Sequence, residues 1–482
     1  MASFYVENFG CRATQADGAA IEQQFRERGL ERAEAPTRAE VVVLNTCTVT
    51  ASADQDARAA IRRIHRENPG CEIVITGCYA QRAPKELAAI PGVTRVIGNS
   101  HKHRLAEIAL NEDVAVPLAQ TFVPLDALTP SGRQSTTDGQ QQIFVSDIFA
   151  HTELLAAPVF DAAGDRTRPN LKVQDGCDNR CSFCVIPYVR GQNRSMPLQQ
   201  IIQEVNTLVT AGYREVVISG INLGRWGRDF AATARFEDLV LAILDHTPLE
   251  KLRISSVEPM DWSDRLIRQV SESPRIAKHA HVPMQSGSDA VLRRMHRKYH
   301  PWHYRGKIET IRAAMPAAAI GADVMVGFPG ETDAEFAETR RMVEDLPFTY
   351  LHVFTYSARP GTPAAAMKNQ VPVQVARERN RILRDLAAEK KQVFMQSFVG
   401  KTIEAITLNS FSGTLSSRAE LDNLRNKSSS GVEEPAVSPN TSYTEALTDN
   451  YLKLRLKGRH EANQWVTAKV ATVEDDVLVA AL

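Results

Sequence analysis

The stretch KVQDGCDNRCSFCVIPY, Lys172–Tyr188, places Cys177, Cys181 and Cys184 in one loop behind an apolar segment that is typical of a strand. Thiolate sulfur is a preferred ligand of iron–sulfur clusters and of zinc. Structural zinc takes four protein ligands, and this loop contains no histidine and no fourth cysteine. A cubane of four irons that is held by three thiolates keeps one iron open to a cofactor or substrate. The loop therefore favours a catalytic iron–sulfur cluster over a zinc site.

Length, charge and cysteine content narrow the class of protein. The 482 residues predict about two to four domains. Lysine plus arginine and aspartate plus glutamate both number 57, and this zero net charge argues against a protein that coats nucleic acid through bulk charge. The odd total of seven cysteines favours thiolate chemistry over disulfides. We find neither a signal-peptide pattern nor an apolar run of about 18 residues, so we expect a cytoplasmic protein with no membrane partner.

The first third of the sequence repeats one arrangement three times. The apolar segments FYVENFG, VVVLNT and EIVITG end at Cys11, Cys47 and Cys78, and helical patterns separate them. Alternating strands and helices predict a parallel sheet, whose strand ends share one edge where open α/β sheets bind ligands. We therefore expect the three cysteines to converge, in an open parallel α/β domain at residues 1–124.

A structural explanation of these cysteines is that they are separate core thiols, since free cysteine is among the most buried residue types. Their identical position in three successive strands favours a shared site instead. Cys71 is an internal comparison, because it opens the strand that Cys78 closes and lies roughly 20 Å from it at about 3.3 Å per residue. We expect Cys71 to stand outside the site.

A partial barrel is predicted for the middle of the chain. The polar, turn-rich segment TPSGRQSTTDGQQQ marks residues 125–168 as a linker. Beyond it, over residues 169–398, six strand-like segments each precede a helical pattern: NLKVQ, REVVISG, KLRISS, AKHAHVPMQ, IGADVMVG and YLHVFTYS. Six such repeats predict an open, TIM-like (β/α)6 barrel, whose functional loops lie at the C-terminal strand ends.

The spacing C-x3-C-x2-C, with Phe183 before the last cysteine, resembles the signature of the radical S-adenosylmethionine (SAM) enzymes. In that superfamily the open iron binds SAM, and an electron from the cluster cleaves it to a 5′-deoxyadenosyl radical. The resemblance implies that the loop cysteines hold a [4Fe–4S] cluster. It also implies cofactor contacts at later strand ends, where the candidates are Gly220, Asn222, Ser255, Glu258, Gln285 and Gly327.

Two motifs near these strand ends have structural alternatives. The segment VGFPGET, which includes Gly327, also fits a tight turn before a helix in which Thr332 and Glu335 form a capping box. Arg190 and Arg194, just after the cysteine loop, are candidates to pair with a carboxylate or a phosphate. A solvated surface pair is the alternative for these two arginines.

The N-terminal motifs NFGC, NTCTVT and GCYAQR resemble the three cysteine motifs of the radical SAM methylthiotransferases. That family carries a second [4Fe–4S] cluster on its N-terminal domain, and the resemblance implies Cys11, Cys47 and Cys78 as the ligands. The chain departs from the family in having Arg-Ala-Thr after Cys11, where the family commonly has a polar residue, a variable one and asparagine. Thr14 is a candidate to supply a substitute hydrogen bond.

Two basic segments are candidate RNA contacts. The predicted helix VLRRMHRKY carries Arg293, Arg294 and Arg297, for which a solvated charged face is the alternative. The second segment, YLKLRLKGR, lies in a β-rich end of the chain at residues 399–482 and alternates with a period of two. Its leucines face a core, and the opposite face carries Tyr451, Lys453, Arg455, Lys457 and Arg459.

That alternating strand suits an RNA-binding β-barrel. Its position and pattern resemble the TRAM domain that ends many RNA-modifying enzymes. A segment rich in serine, asparagine and proline, residues 409–442, interrupts this end of the chain and is predicted to be a disordered insert.

Together the resemblances imply a transfer RNA methylthiotransferase that adds a methylthio group to C2 of a modified adenosine at position 37, beside the anticodon. NTCTVT, RRIHRENP, RISSVEP and MHRKY most resemble the branch that acts on N6-threonylcarbamoyladenosine. The alternatives are the branches that act on N6-isopentenyladenosine and on a ribosomal-protein aspartate. An iron–sulfur protein that binds RNA without catalysis is the alternative from another class.

The resemblance also implies the cofactors and partners. The cofactors are two [4Fe–4S] clusters and S-adenosylmethionine. The partners are the anticodon stem-loop of tRNA and an electron donor such as a flavodoxin or ferredoxin. No catalytic side chain is expected beyond the cluster ligands.

Overall fold

The structure is a computed structural model that describes residues 2–111, 142–151, 167–411 and 443–481. The chain divides into two compact units that are each built from separated segments. The first unit comprises Met1–Ala157, Asp175–Arg194 and Ser357–Ala365, and the second comprises Pro158–Gln174, Ser195–Tyr356 and Ala366–Leu482. The cysteine loop thus belongs to the same unit as the N-terminal region, whereas the sequence order grouped it with the central domain.

A parallel sheet forms the centre of the first unit. Its strands are β1 (Ser3–Asn8), β2 (Glu31–Arg32), β3 (Val41–Thr46), β4 (Glu72–Gly77), β5 (Val93–Gly98) and β6 (Gln142–Phe144). The helices between them are α1 (Arg12–Arg26), α2 (Ala51–Glu67), α3 (Cys78–Arg82), α4 (Pro84–Ala88) and α5 (Leu105–Ala109). The strand order is β2-β1-β3-β4-β5-β6, with every pairing parallel. The predicted open parallel α/β fold is confirmed.

The sheet is covered on both faces, which explains the unbroken apolar run of β3. Every residue of β3 is buried. Val42 and Leu44 pack into one apolar cluster with α2, while Val41 and Val43 pack into another with α1 and α5. A strand that is buried on both faces reads as continuous rather than alternating apolar sequence.

Part of the predicted linker belongs to this sheet. Strand β6 lies within the interval 125–168 and pairs in parallel with β5, with Arg95 opposite Gln142. Residues 142–144 of the predicted linker thus form a strand, because the sheet edge pairs with them through backbone hydrogen bonds, and three residues are too few to show a strand pattern. Residues 125–141 and 152–166 of the predicted linker lie outside the described residues.

The central part of the chain alternates strands and helices as predicted. Its strands are β7 (Asn170–Asp175), β8 (Arg194–Ser195), β9 (Glu215–Gly220), β10 (Lys251–Ile254), β11 (His279–His281), β12 (Ala319–Val326) and β13 (Tyr350–Thr355). Its helices are α6 (Ile186–Arg190), α7 (Leu198–Thr210), α8 (Phe236–His246), α9 (Asp264–Glu272), α10 (Asp289–Arg294), α11 (Pro301–Ala314) and α12 (Asp333–Asp345).

These strands form two sheets of orders β10-β9-β7-β8 and β11-β12-β13. Isolated parallel bridges, Leu252 to Ile276 and Ser256 to His281, connect the β10 region to the β11 region. The six predicted strands therefore follow one another as an open, partial barrel. The short strand β8 adds an edge beside β7 that was not predicted.

A long helix, α13 (Val373–Gln396), leads to a closed five-stranded barrel. The barrel strands are β14 (Thr402–Phe411), β15 (Tyr443–Thr448), β16 (Lys453–Lys457), β17 (Trp465–Glu474) and β18 (Val477–Ala480). Leu454 and Leu456 of β16 point into its core, so the predicted small β-barrel is confirmed. Residues 409–411 of the predicted insert belong to β14, and residues 412–442 lie outside the described residues.

The barrel is attached to the central strands by buried polar contacts. Arg253 of β10 is 1% exposed, and it donates hydrogen bonds to the backbone oxygens of Thr448 at 3.2 Å and Asp449 at 3.1 Å. The same guanidinium pairs with the buried Glu215 at 2.7 Å. The ring of Tyr451 lies 4.7 Å from that of His279. Among the described residues, no helix combines the length and apolar character needed to span a membrane.

Candidate functional site

Cys11, Cys47 and Cys78, which we call the N-terminal trio, lie at one edge of the parallel sheet. Cys11 follows β1 and precedes α1, Cys47 follows β3, and Cys78 follows β4 as the first residue of α3. The three strands are neighbours in register, with Asn8 opposite Asn45. Their C-terminal ends form the edge at which open α/β sheets bind ligands.

The thiols of the N-terminal trio lie within electrostatic reach of one another. Burial, then the charge of Cys78 and then that of Cys11 raise the pKa of Cys47 to about 12. The backbone also approaches closely: a Cβ at Gly10 (φ +111°) would lie 2.6 Å from the Cβ of Cys47. Glycine is needed for this conformation and this approach. Three thiols at one crowded edge are well suited to a shared metal centre, because a bound metal replaces the thiol protons.

Polar groups approach two of these sulfurs from nearby in the chain. The hydroxyl of the buried Thr14 lies 3.6 Å from the Sγ of Cys11, as the hypothesis of a substitute hydrogen bond requires. The backbone N–H of Val49 donates to the Sγ of Cys47 at 3.5 Å. Hydrogen bonds to cluster sulfurs are among the features that set a reduction potential.

Asn99 connects the N-terminal trio to the segment after the cysteine loop. Its side-chain amide lies 3.6 Å from the Sγ of Cys78 and donates to the backbone oxygen of Val189 in α6 at 2.7 Å. Asn99, which directly follows β5, therefore contacts both helix α3 and helix α6.

A buried ion-pair network, formed by Asp17, Lys102, Asp175 and Arg190, lies beside the N-terminal trio. Arg190, 2% exposed, donates to both carboxylate oxygens of Asp175 at 3.0 Å and to Asp17 at 2.9 Å. Lys102 donates to the same oxygen of Asp17 at 2.9 Å. Of the alternatives for Arg190, the structure supports pairing with a carboxylate, and neither a phosphate contact nor a solvated surface pair.

The charges of this network face the cysteines. Burial by itself would lower the pKa of Arg190, but Asp175, Cys78 and Asp17 raise it well above the usual value. Burial lowers the pKa of Lys102, against the attraction of Asp17. A cluster bound by the trio would bring thiolate charge next to Arg190, and the network supplies cations at that position.

Cys177, Cys181 and Cys184, which we call the loop trio, follow β7 within a tightly turned backbone. Gly176 adopts φ +71°, and a Cβ there would lie 1.8 Å from the backbone oxygen of Gln192. The N–H of Cys177 donates to Gly191 at 3.0 Å, which closes the base of the loop. The backbone N–H of Asn179 donates to the Sγ of Cys177 at 3.4 Å.

The segment Ser357–Ala365 packs within the first unit against both cysteine regions. The N–H of Ala364 donates to the oxygen of Ser182, inside the loop, at 2.8 Å. Arg359, 3% exposed, pairs with Asp54 and donates to Thr48, the residue after Cys47, at 3.1 Å. All six cysteines therefore belong to one compact unit whose pieces are joined by buried polar contacts.

Comparison with known proteins assigns both regions. The model described as "Uncharacterized protein family UPF0004" matches residues 3–98, and the radical SAM superfamily model matches residues 171–343. The chain is 35% identical over 463 residues to "Threonylcarbamoyladenosine tRNA methylthiotransferase MtaB" of Bacillus subtilis, which covers 96% of this chain and 92% of that protein. The protein of the same name from Aquifex aeolicus is 34% identical, over 83% of this chain and 92% of that protein.

The chain belongs to the radical SAM methylthiotransferase family. Another relative, the "tRNA-2-methylthio-N(6)-dimethylallyladenosine synthase" of Novosphingobium aromaticivorans, is 33% identical over 84% of this chain and 86% of that protein. Among solved structures, the radical SAM methyltransferase TsrM of Kitasatospora setae superimposes with a TM-score of 0.52 over 76% of this chain and 75% of that one. At 15% identity this likeness supports the fold alone.

Members of the radical SAM methylthiotransferase family use S-adenosylmethionine and [4Fe–4S] clusters. The donor sets present here fit that requirement, because each trio supplies three thiols and neither is accompanied by a fourth cysteine. The seventh cysteine, Cys71, is buried in the apolar cluster at the opposite end of β4, as expected of a residue outside the site.

The predicted SAM-contacting residues lie at C-terminal strand ends, with two of them beside β9. A Cβ at Gly220 would lie 2.7 Å from the Oε1 of Gln174, and the backbone N–H of Asn222 donates to that oxygen at 2.7 Å. Ser255 donates its N–H to Ile218 at 3.1 Å. These contacts order the backbone, and the assignment to SAM stays a prediction.

The other three candidates have structural partners. Glu258 pairs with Arg297. Gln285 (φ +61°) pairs its backbone with β12, and Gly327 (φ +73°) donates its N–H to the carboxylate of Glu331. The predicted capping box at the start of α12 is present, so the structural explanation of this segment holds whether or not Gly327 also contacts a cofactor.

The basic segment predicted to be an RNA-contacting helix is only partly helical and partly exposed, because α10 ends at Arg294 and Arg297 lies beyond it. Arg293 has 70% of its side chain exposed and pairs with Asp289. Arg294 makes two hydrogen bonds to Glu335, at 2.9 and 2.8 Å, and Arg297 is 6% exposed against Glu258. Arg293 is therefore the residue of this set that is presented to solvent, and RNA contact stays a prediction.

The basic strand of the barrel has the predicted alternation over Lys453–Lys457, but the predicted face is too long at both ends. Lys453, Lys457 and Arg459 are exposed and Arg455 is half-buried. Tyr451 instead lies in a turn (φ +67°), with its ring packed in the contacts to the central strands described above. A period of two cannot reveal where a strand begins or ends, and Tyr451 and Arg459 each lie two residues outside β16.

Several residues that build the site were missed in the sequence. Asp17, Lys102 and Asp54 belong to no motif and lie in ordinary helical or turn segments. Arg359 lies more than 300 residues from its partner Asp54. The one available signal was position, because Asp17 lies six residues after Cys11 and Asp175 two residues before Cys177.

Proposed function

We propose that this protein is a tRNA methylthiotransferase that adds a methylthio group to C2 of N6-threonylcarbamoyladenosine at position 37, next to the anticodon. The observation that carries the proposal is the placement of two thiol trios in one compact unit of a chain 35% identical, over 96% of its length, to a protein named for that activity. A radical SAM enzyme that only methylates or rearranges its substrate needs no second trio.

The assignment of ligands is part of the proposal. Cys177, Cys181 and Cys184 would hold the cluster that binds SAM, and Cys11, Cys47 and Cys78 would hold the second cluster. The C2–H of adenine is neither acidic nor attached to a leaving group, so acid–base side chains alone cannot replace it. The bound cofactors supply radical C–H activation and a sulfur donor, while the protein positions the reactants and excludes water.

The chain's own residues hold this arrangement in place. Gly176 and Gly191 close the base of the cysteine loop. Arg190 joins Asp175, at the start of that loop, to Asp17 in the helix that follows Cys11. The ion pairs thereby fix both donor sets to one another within the first unit, which serves orientation rather than proton transfer.

The finer partners follow the same proposal. An electron donor such as a flavodoxin or ferredoxin would reduce the SAM-binding cluster, in the cytoplasm where tRNA is modified. The anticodon stem-loop would contact Arg293 and the exposed basic residues of β16 and its following turn, which are Lys453, Lys457 and Arg459. Such phosphate contacts weaken steeply as salt is raised.

Mass spectrometry of tRNA nucleosides from a deletion strain tests the substrate. Loss of the 2-methylthio group from the threonylcarbamoyl nucleoside alone is the expected result, with restoration by the wild-type gene. Loss from the isopentenyl nucleoside would assign the branch of the Novosphingobium relative instead. Restoration by a Cys181→Ala variant would support the non-catalytic RNA-binding alternative and refute an enzyme.

A further inference from the structure

The sheet β11-β12-β13 has two chemically different faces. On one face, alternate residues are apolar and fully buried, among them Ala280, Ala322 and Val324. On the other face, the side chains of consecutive strands are polar or ionisable, and three of them are His281, Asp323 and His352. A polar inner face is where the wall of an α/β barrel carries binding groups, because helices cover the apolar face.

These three side chains meet on that face. Asp323 of β12 is directly opposite His352 of β13, and His281 of β11 is opposite Gly321, two residues before Asp323. One ligand atom from each of the three side chains lies within 4.8 Å of the others. The Nε2 of His281 is 3.3 Å from the Oδ1 of Asp323. Three different strands thus supply two imidazoles and a carboxylate to one point.

His281 lacks the hydrogen bonds that its burial requires. The residue is 9% exposed, and neither ring nitrogen makes a hydrogen bond to any described residue. A buried ring nitrogen that makes no hydrogen bond destabilises the fold unless another ligand satisfies it. A metal ion would take up a ring nitrogen of His281. Because His352 is exposed, the site is open to solvent on one side, and an ion has a route of entry.

Neighbouring rings hold the face in a fixed arrangement. Tyr350 lies over β12 so closely that a Cβ at Gly321 would fall 1.9 Å from its Cζ, so glycine is required there. The Tyr350 hydroxyl lies 2.7 Å from the Nε2 of His279, and its ring stacks 6.0 Å from that of His281. These contacts restrict the side chains around the cluster, as a preorganised ligand site needs.

We propose that His281, Asp323 and His352 form a third metal site, which binds a divalent first-row transition ion such as Zn²⁺ or Fe²⁺. Two imidazoles and one carboxylate are a ligand set for both ions. Three protein ligands leave coordination positions for water or for an oxygen atom of a substrate. This site is separate from the six cysteines and does not depend on the proposed tRNA substrate.

Metal binding to the full chain with both clusters reconstituted tests the proposal. Titration with Zn²⁺, followed by calorimetry and elemental analysis, should show uptake of about one Zn²⁺ per chain. His281→Ala, Asp323→Asn and His352→Ala should each weaken that binding by at least the roughly 10–100-fold that loss of a hydrogen-bond partner of a metal ligand costs. Parallel titrations with Fe²⁺ and Mn²⁺ identify the preferred ion. His246→Ala, at an exposed histidine on α8, should bind Zn²⁺ like the wild type.

Iron content and thermal unfolding of each variant separate loss of the site from loss of the fold. Asp323→Asn keeps the shape of the side chain, so it remains informative if an alanine variant unfolds. Wild-type protein that takes up no more Zn²⁺ than Asp323→Asn, at equal iron content, would overturn the proposal. Because tRNA is absent from the measurement, failure here would leave the proposed activity unaffected, and the converse also holds.

Discussion

The loop trio lies within residues 177–184, whereas the members of the N-terminal trio are more than thirty residues apart in sequence. The first is positioned by local backbone geometry, with a left-handed glycine and a hydrogen bond across the base of the loop. The second exists only when three strands pair in register. One ligand set is therefore a property of a loop, and the other is a property of a folded sheet.

Buried charge connects these two regions. Arg190 follows the loop trio in sequence but pairs with Asp17, which follows Cys11. A ligand set formed by one loop and a ligand set formed by paired strands should therefore be sensitive to different substitutions. Damage to the loop should affect one cluster, while damage to the ion-pair network should affect both.

Removal of either trio should have the largest effect. Replacement of Cys11, Cys47 and Cys78 by alanine should remove about half of the roughly eight irons expected of two four-iron clusters, abolish methylthiolation and leave SAM cleavage intact. Replacement of Cys177, Cys181 and Cys184 should remove a similar amount of iron and also abolish SAM cleavage. Iron and sulfide analysis of anaerobically reconstituted protein, with an assay of SAM cleavage, measures both. Full iron content in the first variant would refute the N-terminal ligand assignment.

Arg190→Met should have the next largest effect, because it removes the cation 3.0 Å from the buried Asp175, whose ion pair to Arg194 is longer at 3.9 Å, and it strips Asp17 of one partner. Breaking a buried pair in this way costs about 3–5 kcal/mol, to be measured as the free energy of unfolding in denaturant. Iron should fall at both clusters.

The matched control is Arg38→Met, which removes an exposed ion pair. The side chain of Arg38 is 73% exposed and that of its partner Glu34 is 85% exposed. Exposed pairs contribute about 0–1 kcal/mol. Equal destabilisation by the two substitutions would mean that the buried network does not stabilise the first unit.

Gly176→Ala should damage the loop trio alone. The left-handed conformation costs an alanine about 1–2 kcal/mol, and its Cβ would collide with the oxygen of Gln192. We expect loss of the iron held by the loop and retention of the iron held by the sheet. Gly212→Ala carries the same kind of strain at φ +93° with nothing within 4 Å of the added Cβ. Loss of loop iron in both variants would assign the effect to general instability.

Thr14→Val should have the smallest effect. It removes the hydroxyl beside Cys11 at a cost of about 1 kcal/mol and should lower the reduction potential of the N-terminal cluster, since the sulfur loses a donor. A redox titration followed by electron paramagnetic resonance measures the shift. Thr94→Val, which removes a hydrogen bond to Ile73 elsewhere in the same sheet, should leave the potential unchanged.

The sequence predicts those parts of the molecule in which one short segment carries the whole signal. The strands that precede Cys11, Cys47 and Cys78 are recognisable because each apolar run is followed by the same residue type. The alternation of β16 is recognisable because adjacent residues of a half-buried strand lie on opposite faces, one apolar and one polar.

Features that depend on pairing between distant segments were not predictable in this way. The Asp17–Arg190 pair spans 173 positions, and a lone aspartate in a helix does not indicate its partner. Strand β6 is too short to show a pattern. The three histidine and aspartate positions of the central sheet were visible as polar residues in strands, but their convergence depends on a register that only the pairing of β11, β12 and β13 reveals.

The contacts of Arg253 and Tyr451 have a consequence for how a nucleic acid would be read. A domain on a flexible tether can bind its ligand at many distances from the rest of the protein. Such a domain therefore does not fix the distance between the bound ligand and the rest of the protein. Here the basic strand of the barrel is anchored through buried groups to the strands of the central sheet. An RNA whose phosphates bound this strand would therefore be held at a constant distance from the central strands. Such an arrangement would select substrates by the distance between the bound phosphates and the base that reaches those strands.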